Sequence, residues 1–278
     1  METKNVDPAA ICALYGLICL DDLSYRGSTS DLVLRVQDAQ GVEYALKHMG
    51  PEVRESEVQA LRTWTASGVT PRLIKELEQG YYLVEWLQGR TMAEVPHHEP
   101  VPAVDVGCAL ATLHRVPPPD GAPEMQFHFA LESEPGWKLL PPSLSLLATR
   151  LTKSLDHESG QSVFLHGDLV PANVMLTPAG PRLIDPVGRR GHPARDLAQL
   201  AASGVGRGSR NLLAPLLKGY GRVPPLLADA FAWMILFYLQ KNLAVPNSPF
   251  TQHLLPVAAA LDHMGDAERF TECYLRSV

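Results

Sequence analysis

The pattern of hydrophobic and polar positions changes part of the way along the chain. In the first part, apolar and polar side chains alternate in two short runs, 32–36 and 42–47, which are separated by a polar turn. Alternation with a period of two predicts a β-hairpin. The run 81–87 predicts a further strand. A helix is expected between Pro51 and Gly68, because proline is favoured in the first turn of a helix and glycine just beyond its end.

The second part of the chain follows the period of a helix instead. In the segment 106–113 apolar residues recur at i, i+3, i+4 and i+7, and two or three more helices are expected after residue 223. The apolar run 230–239 is too short to span a bilayer, so it predicts a buried helix. These patterns predict an α+β fold with a small antiparallel-sheet lobe over residues 1–87 and a larger, mainly helical lobe over residues 88–278.

Composition and charge narrow the range of partners. The 278 residues are 46% hydrophobic and 19% charged, which is typical of a soluble globular protein with a sizeable core. The net charge of −6 and the pI near 5.9 argue against a general nucleic-acid binder, and an acidic surface would suit a cationic small molecule. The four cysteines form no CxxC pair, and the N-terminus has no apolar signal core. We therefore expect a cytoplasmic monomer without a nucleic-acid partner or a membrane segment.

The segment 164–186, FLHGDLVPANVMLTPAGPRLIDP, concentrates polar groups between two apolar runs. His166, Asp168, Asn173 and Asp185 are expensive to bury unless something pairs with them. If each apolar run is a strand, a carboxylate follows each strand end and the asparagine amide lies between them. Oxygen ligands of this kind suit Mg²⁺, which keeps several waters and needs few protein ligands. The carboxylate that remains can accept a proton from a reacting hydroxyl group.

The spacing H-x-D-L-x-x-x-N, followed by an aspartate after an apolar run, is that of the protein-kinase catalytic loop and its metal-binding aspartate. Gly167 replaces the usual arginine, and Ile-Asp-Pro replaces Asp-Phe-Gly. With these changes and the trailing HPARDLAQL, the segment resembles the aminoglycoside phosphotransferase family, and more narrowly its streptomycin and hydroxyurea phosphotransferases. The resemblance implies a bilobal, protein-kinase-like fold. It also implies that Asp168 and His166 are catalytic residues, His166 by bracing the loop, and that Asn173 and Asp185 bind Mg²⁺.

The first lobe would then hold ATP or GTP, with a lysine on the phosphates and a helix glutamate that orients this lysine. Lys47 ends the second strand of the predicted hairpin. On the helix that follows, Glu57 shares a face with apolar residues at offsets of three, four and seven, namely Val53, Ala60, Leu61 and Trp64. A carboxylate on an apolar face needs a cation. Periodicity therefore predicts that Glu57 pairs with Lys47, and the resemblance selects the same pair.

Other nucleotide contacts rest on weaker signals. The turn YRGSTSDL predicts a phosphate-binding loop at Gly27, Ser28 and Ser30, whose backbone N–H groups and hydroxyls can cradle phosphate oxygens. The turn lacks the pattern G-x-G-x-x-G, and its composition is also common in ordinary turns. In the connection between the lobes, the resemblance implies that backbone groups of Glu85 and Leu87 bind the base.

The resemblance favours an antibiotic O-phosphotransferase. The γ-phosphoryl group of ATP or GTP would pass to a hydroxyl of a cationic antibiotic, either an aminoglycoside such as streptomycin or a basic cyclic peptide, and so give resistance. A protein substrate is disfavoured because only ten residues separate Asp185 from Asp196, too few for a regulated activation loop. A polycation calls for carboxylates around the acceptor, and the second lobe offers Glu132, Glu134, Asp229, Asp262, Asp266, Glu268 and Glu272.

Four other hypotheses stay open at this point. A metabolic kinase for an amino alcohol, a sugar or a homoserine-like acceptor would use the same residues. A nucleotide-binding pseudokinase would bind without transfer, although the full set of chemical residues argues against it. A hydrolytic metal site would be formed by His166, Asp168, Asp185 and His192, which leaves Asn173 without a role. The fourth hypothesis is a buried polar turn with no catalysis.

Overall fold

The computed structural model describes residues 7–23, 30–96, 99–127, 135–157, 162–208 and 211–276. The α+β fold with a sheet-rich lobe and a helical lobe is confirmed. The first lobe comprises α1 (Pro8–Leu14), β1 (Ile18–Asp22), β2 (Ser30–Gln37), β3 (Glu43–Met49), α2 (Pro51–Trp64), β4 (Leu73–Glu76) and β5 (Tyr81–Glu85), with 3₁₀ turns at Thr65–Ser67 and Glu78–Gly80.

The five strands of the first lobe form one antiparallel sheet in the order β1-β2-β3-β5-β4, and the predicted hairpin is its β2–β3 pair. The central strand β3 shows why alternation matters. Leu46 faces α1 and joins the core beneath it, whereas its neighbour Lys47 points to the opposite face, where α2 lies. Lys47 pairs with Val33 on β2 and with Tyr82 on β5. The lysine is therefore enclosed by the sheet on both sides.

Helix α2 connects the cores of the two lobes. Its buried residues include Glu57, Ala60 and Trp64, and the Trp64 ring centroid lies 4.4 Å from that of Phe164 in the second lobe. The helical period also assigned Val53 to this buried face, and that assignment is wrong. Val53, in the first turn, is 41% exposed, and the buried residues of α2 begin at Glu57.

The second lobe is mainly helical. It comprises β6 (Arg90–Thr91), α3 (Ala103–His114), α4 (Pro142–His157), β7 (Val163–Leu165), β8 (Val174–Thr177), β9 (Gly180–Leu183), β10 (Arg189–Gly191), α5 (Ala194–Gly206), α6 (Leu213–Tyr220), α7 (Leu227–Leu243), α8 (Pro249–Met264) and α9 (Ala267–Arg276), with 3₁₀ turns at Met92–Glu94, Pro135–Leu139 and Pro171–Asn173. Helix α5 is buried along its whole length and packs against α7 and α8. The predicted buried run lies in α7. None of the described helices is long and apolar enough to cross a membrane.

The two apolar runs of the segment 164–186 form strands in different small sheets. Strand β7 pairs with β10, whereas β9 pairs with β8. Hydrogen bonds to the carbonyl oxygen of His166 join the two strand ends, with N–H donors from Val187 at 2.8 Å and Gly188 at 3.2 Å. The residues after β7 and the residues after β9 are therefore held side by side, as the sequence predicted, but without a shared sheet.

Candidate active site

The catalytic loop, residues 166–168, is held by hydrogen bonds to the Asp196 side chain. Asp196 Oδ2 accepts a hydrogen bond from the backbone N–H of His166 at 2.8 Å, and Oδ1 accepts one from Gly167 at 3.0 Å. Burial works to raise the pKa of Asp196, but hydrogen bonds from His114 and the loop hold that pKa below its usual range. From the sequence, Asp196 near the start of a helix could either cap that helix or tie down the loop; the N-cap of α5 is Pro193, which leaves the second role. Its role is to tie the loop to α5.

Gly167 has a backbone role in this loop. Its φ of +83° lies in the left-handed region, and a Cβ built there would come within 3.2 Å of the Val187 Cβ. L side chains rarely adopt this conformation, whereas glycine does so readily. The glycine that distinguishes this loop from that of a protein kinase therefore permits the turn that directs two consecutive N–H groups at Asp196.

His166 lies behind the catalytic loop and is fully buried. Its Nε2 is 2.8 Å from the carbonyl oxygen of Ile184, and its Nδ1 is 3.4 Å from the backbone nitrogen of Asp168. Because a carbonyl accepts and an N–H donates, these partners define the neutral tautomer with its proton on Nε2. Burial lowers the pKa of His166 despite the nearby Asp196 charge. The imidazole therefore braces the loop against the segment that carries Asp185.

Asp168 is half-buried, and each of its carboxylate oxygens accepts a hydrogen bond from an amide. Asn173 Nδ2 lies 3.2 Å from Oδ2, and Gln199 Nε2 lies 3.0 Å from Oδ1. Asn173 Nδ2 also donates to the backbone oxygen of Asp168 at 2.8 Å. Since its amide nitrogen is turned toward Asp168, Asn173 presents its Oδ1 as the group that can bind a cation.

Asp185 follows β9 in the left-handed conformation, with φ 56°, which aspartate tolerates better than most residues. Its side chain is 45% exposed, and Oδ1 accepts a hydrogen bond from Lys47 Nζ at 2.7 Å. Burial works to raise the pKa of Asp185, but the Lys47 charge outweighs it and holds the pKa below its usual range. The side chain is therefore an ionised carboxylate facing the cleft between the lobes.

Lys47 Nζ lies 2.5 Å from Glu57 Oε1, and each residue is only 3% exposed. Burial works to lower the pKa of Lys47, but the carboxylates of Asp185 and Glu57 raise it well above its ordinary value. The ammonium group therefore stays charged between two carboxylates, one from each lobe. The contact that periodicity predicted is present.

The donor set fits a small, hard cation better than a hydrolytic metal site. Asn173 Oδ1 and the Asp185 carboxylate are oxygen donors, and Mg²⁺ accepts few protein ligands when waters and phosphates complete its shell. Within the described ranges, no three His, Cys, Asp or Glu side chains are grouped to hold a metal ion. Both nitrogens of His166 are also engaged in hydrogen bonds. These contacts favour the phosphotransferase interpretation over the hydrolytic one.

The predicted base and phosphate contacts stay predictions. Glu85 ends β5, and its N–H donates to the carbonyl oxygen of Arg72 at 2.9 Å, so this N–H is committed to the sheet. Leu87 is half-buried just beyond that strand. Gly27 and Ser28 lie outside the described residues, as does the side chain of Ser30, whose backbone begins β2.

Gln199 is the site residue that sequence reasoning missed. It lies on α5, three residues after Asp196, and reaches the catalytic carboxylate directly. Every residue of α5 is buried, so no period singled out one polar position. The only signal was a glutamine in an otherwise apolar stretch, LAQLAA.

A cavity of about 580 Å³ is lined in part by Pro171, which lies three residues after Asp168. Its lining is mostly apolar, with one described residue of each charge, Glu99 and Arg207. Glu99 Oε2 accepts a hydrogen bond from Arg90 at 2.5 Å. The cavity therefore carries no excess of negative charge on its described walls.

Several of the acidic residues considered for a cationic acceptor accept hydrogen bonds in the second lobe. Asp229 and Asp262 accept from Ser154 and Ser143, and Asp266 binds the N–H of Arg269. Glu132 and Glu134 lie outside the described residues. Contact of these carboxylates with an acceptor therefore stays a prediction.

A family model described as "Phosphotransferase enzyme family" matches residues 24–233, which is more than half of the chain. No curated protein is matched by the sequence.

Solved structures share the fold at low identity. An amicoumacin kinase in complex with AMP-PNP, Ca²⁺ and Ami is 12% identical, with a TM-score of 0.64 over 94% of this chain and 95% of that one. Choline kinase from Streptococcus pneumoniae is 15% identical, with a TM-score of 0.62 over 92% of this chain and 97% of that one. An aminoglycoside phosphotransferase from Alicyclobacillus acidocaldarius is 17% identical, with a TM-score of 0.61 over 97% of this chain and 96% of that one. At these identities the likeness shows the fold, and not the acceptor.

Proposed function

The chain belongs to the phosphotransferase enzyme family, and on that premise we propose that it moves the γ-phosphoryl group of ATP or GTP to a hydroxyl of a basic antibiotic. One observation carries the proposal. Lys47 binds Asp185, and Asn173 binds Asp168. These two pairs are joined because Ile184 donates to the Asn173 carbonyl and accepts from His166. Each member of the two pairs has the chemical type that phosphoryl transfer requires.

Asp168 is the group that accepts the proton of the acceptor hydroxyl as the new O–P bond forms and the bond from the γ-phosphorus to the bridging oxygen breaks. Lys47 contacts the phosphates of the bound nucleotide, and Glu57 keeps its ammonium group directed toward the cleft. His166 holds the loop in shape and transfers no proton, since both of its nitrogens already have partners.

Asn173 Oδ1 and the Asp185 carboxylate are the groups that would hold Mg²⁺. When bound, Mg²⁺ supplies neutralisation of the negative charge on the transferring phosphates. The side chains prepare this site without it, because Asn173 is oriented by Asp168 and Asp185 by Lys47.

A basic antibiotic is the first choice of acceptor, either an aminoglycoside such as streptomycin or a basic cyclic peptide. The net charge of −6 supports a cationic substrate, and two of the structural neighbours are kinases of antibiotics by name. The expected consequence is antibiotic resistance. The cytoplasmic location and the monomeric state expected from the sequence belong to this proposal as well.

A metabolic kinase for an amino alcohol or a sugar is the second candidate. The observation that favours it is the cavity beside Pro171, whose described walls carry one charge of each sign. Such a lining does not select a polycation over a small, singly charged or neutral acceptor.

A coupled assay for nucleoside diphosphate release tests the proposal. Purified protein is given ATP or GTP with Mg²⁺ and a panel of aminoglycosides, basic cyclic peptides, amino alcohols and sugars. Release with an antibiotic supports the first choice, and release with a metabolite alone supports the second. Nucleotide-dependent thermal stabilisation without release on any acceptor would identify a pseudokinase and overturn both.

Replacing Asp168 tests the catalytic assignment within the same assay. Asp168→Ala is expected to lower kcat by about 10²- to 10⁴-fold, which is what a positioned general base contributes. The variant should still fold, with a modest fall in melting temperature, because Asp168 is half-buried but its removal leaves the buried Gln199 amide without its acceptor. Asp105→Ala is the matched control, since Asp105 is an exposed aspartate in the first turn of α3. An Asp168→Ala protein with wild-type kcat would refute the role of Asp168 as the base.

A further inference from the structure

Gln199 is a buried polar side chain in an apolar setting. It is 8% exposed and lies in the middle of α5, between leucine and alanine neighbours. Burying an amide costs free energy unless both its N–H and its C=O groups find partners. A leucine of similar size would fill the same space without that cost. The glutamine therefore needs a physical reason to be there.

Its hydrogen bonds supply that reason. Gln199 Nε2 lies 3.0 Å from Asp168 Oδ1, whereas Gln199 Oε1 is buried and has no partner among the described residues. Only the donor half of the amide is used. The side chain is thus placed for what its N–H group does to Asp168.

Two amides hold the Asp168 carboxylate by different oxygens. Asn173 Nδ2 donates to Oδ2 and Gln199 Nε2 donates to Oδ1. Two bonds to the two oxygens of one carboxylate restrict rotation about its terminal torsion, which is otherwise broad. A neutral amide achieves this without placing a positive charge beside a group that must accept a proton.

Helix α7 packs against α5 and brings Tyr238 near Gln199. The side chains of Gln199 and Ser203 act to lower the pKa of Tyr238, but burial outweighs them and raises that pKa to about 12. The phenol is therefore neutral and adds no charge near the Gln199 amide.

We propose that Gln199 is a positioning residue that holds the Asp168 carboxylate in the orientation from which it accepts the proton of the acceptor hydroxyl. The inference rests on the proposed function. It adds a residue of α5 to the site and makes α5, through Asp196 and Gln199, the element that fixes both the backbone and the side chain of the catalytic loop.

The first experiment compares Gln199→Leu with Gln240→Leu, using the acceptor found in the coupled assay. Gln240 is the matched control, because it is a buried glutamine of α7 whose Oε1 also lacks a partner among the described residues. Gln199→Leu is expected to lower kcat by about 10- to 100-fold, the range for a hydrogen bond to a charged group. The KM for the nucleotide should stay within about twofold, because the lost interaction acts on the chemical step. Gln240→Leu should keep the wild-type kcat.

Gln199→Glu separates positioning from packing, because it preserves shape and removes the donor. The titratable and charged groups around this position are the Asp168 carboxylate, the neutral Tyr238 phenol and, one turn earlier on α5, the Arg195 guanidinium. At about pH 8 the introduced carboxylate repels Asp168, so kcat should fall at least as far as in Gln199→Leu. Toward about pH 6 the introduced carboxyl gains a proton and can donate again, so the loss relative to wild type should shrink. The deficit of Gln199→Leu should not change with pH.

The outcomes separate this inference from the function on which it rests. A wild-type protein that phosphorylates no acceptor overturns the proposed function and the role of Gln199 with it. An active wild type whose Gln199→Leu variant keeps its kcat overturns the positioning role alone. A pH-independent deficit in Gln199→Glu overturns it too, since mere packing damage would behave in that way.

Discussion

In the first lobe a full positive charge, Lys47, lies between two carboxylates, whereas in the second lobe the Asp168 carboxylate is held by two neutral amides. In the proposed reaction, the first arrangement holds a cation that can bind phosphates. The second orients the Asp168 base without placing a positive charge beside it. The two clusters are joined through Asp185, which accepts from Lys47 and is held near the catalytic loop by the bond from His166 to Ile184.

The comparison separates two kinds of stabilisation. A buried ion pair gains little net stability, because desolvation offsets most of the attraction, but an unpaired member is costly. A buried carboxylate that binds backbone N–H groups, such as Asp196, leaves several donors unsatisfied when it is removed. We therefore expect the hydrogen-bonded support of the catalytic loop to contribute more to stability than the ion pair does.

The largest expected effect is that of Asp196→Ala. The variant leaves the N–H groups of His166 and Gly167 and one ring nitrogen of His114 without their acceptor. We expect the free energy of unfolding to fall by about 3–5 kcal/mol, from several buried donors at ~1–3 kcal/mol each. Urea unfolding measures it, and Asp196→Asn, which keeps one acceptor oxygen, should lose less. A loss below about 1 kcal/mol would contradict the expectation that the hydrogen bonds of Asp196 contribute more to stability than the ion pair of Lys47 does.

The second effect is that of Lys47→Met, alone and combined with Glu57→Leu. The single variant leaves the Glu57 carboxylate buried and unpaired, so we expect a loss of about 3 kcal/mol in the free energy of unfolding. The double variant should recover to within about 1 kcal/mol of the wild type, because an apolar pair replaces the ion pair. Both should lack nucleotide-dependent activity. If the double variant is no more stable than the single one, the cost does not come from an unpaired charge.

The smallest expected effect is a pH dependence from His166, whose folded-state pKa is lowered by burial. Below about pH 6.5 the unfolded chain binds a proton that the folded His166 does not, so stability falls as the pH falls. Asp185 and Asp196 also have lowered pKa values, and their contribution is lost only as the pH drops below about 4. The pH range in which His166 affects stability is therefore separate from that of the two aspartates.

The measurement compares urea unfolding at about pH 7.5 and about pH 5.5 for the wild type and for His166→Gln. Glutamine can still donate to the Ile184 carbonyl, and it does not titrate. The loss of stability toward low pH should be smaller in the variant. An equal loss in both proteins would assign the pH dependence to other histidines.

The elements that position the site were predictable where the signal is local. Alternation predicted the β2–β3 hairpin, and a helical period placed Glu57 on an apolar face that needed a cation. Val53 shows the limit of that period, since a position on the right face stays exposed when no neighbour covers it. Helix α4 was not predicted, although it begins at Pro142 and proline is favoured in a first helical turn.

The contact between Gln199 and Asp168 could not be predicted in the same way. The two residues lie 31 positions apart in the sequence. A helix that is buried on every side carries no amphipathic pattern, so nothing in α5 marks which polar residue faces the loop. The function of Gln199 depends on the direction of one amide, and that direction is set by packing between α5 and α7.

By itself the sequence determined the family, the two-lobed α+β plan and the candidate residues for the chemistry, because their spacing along short segments is enough to define strand ends, a tight loop and an apolar helix face. The tertiary structure decided which groups support them: His114 and Asp196 beneath the loop, and Gln199 beside Asp168. It also decided the shape and charge of the cavity at Pro171. These depend on contacts between distant parts of the chain, where burial and hydrogen-bond direction, rather than residue spacing, set the chemistry.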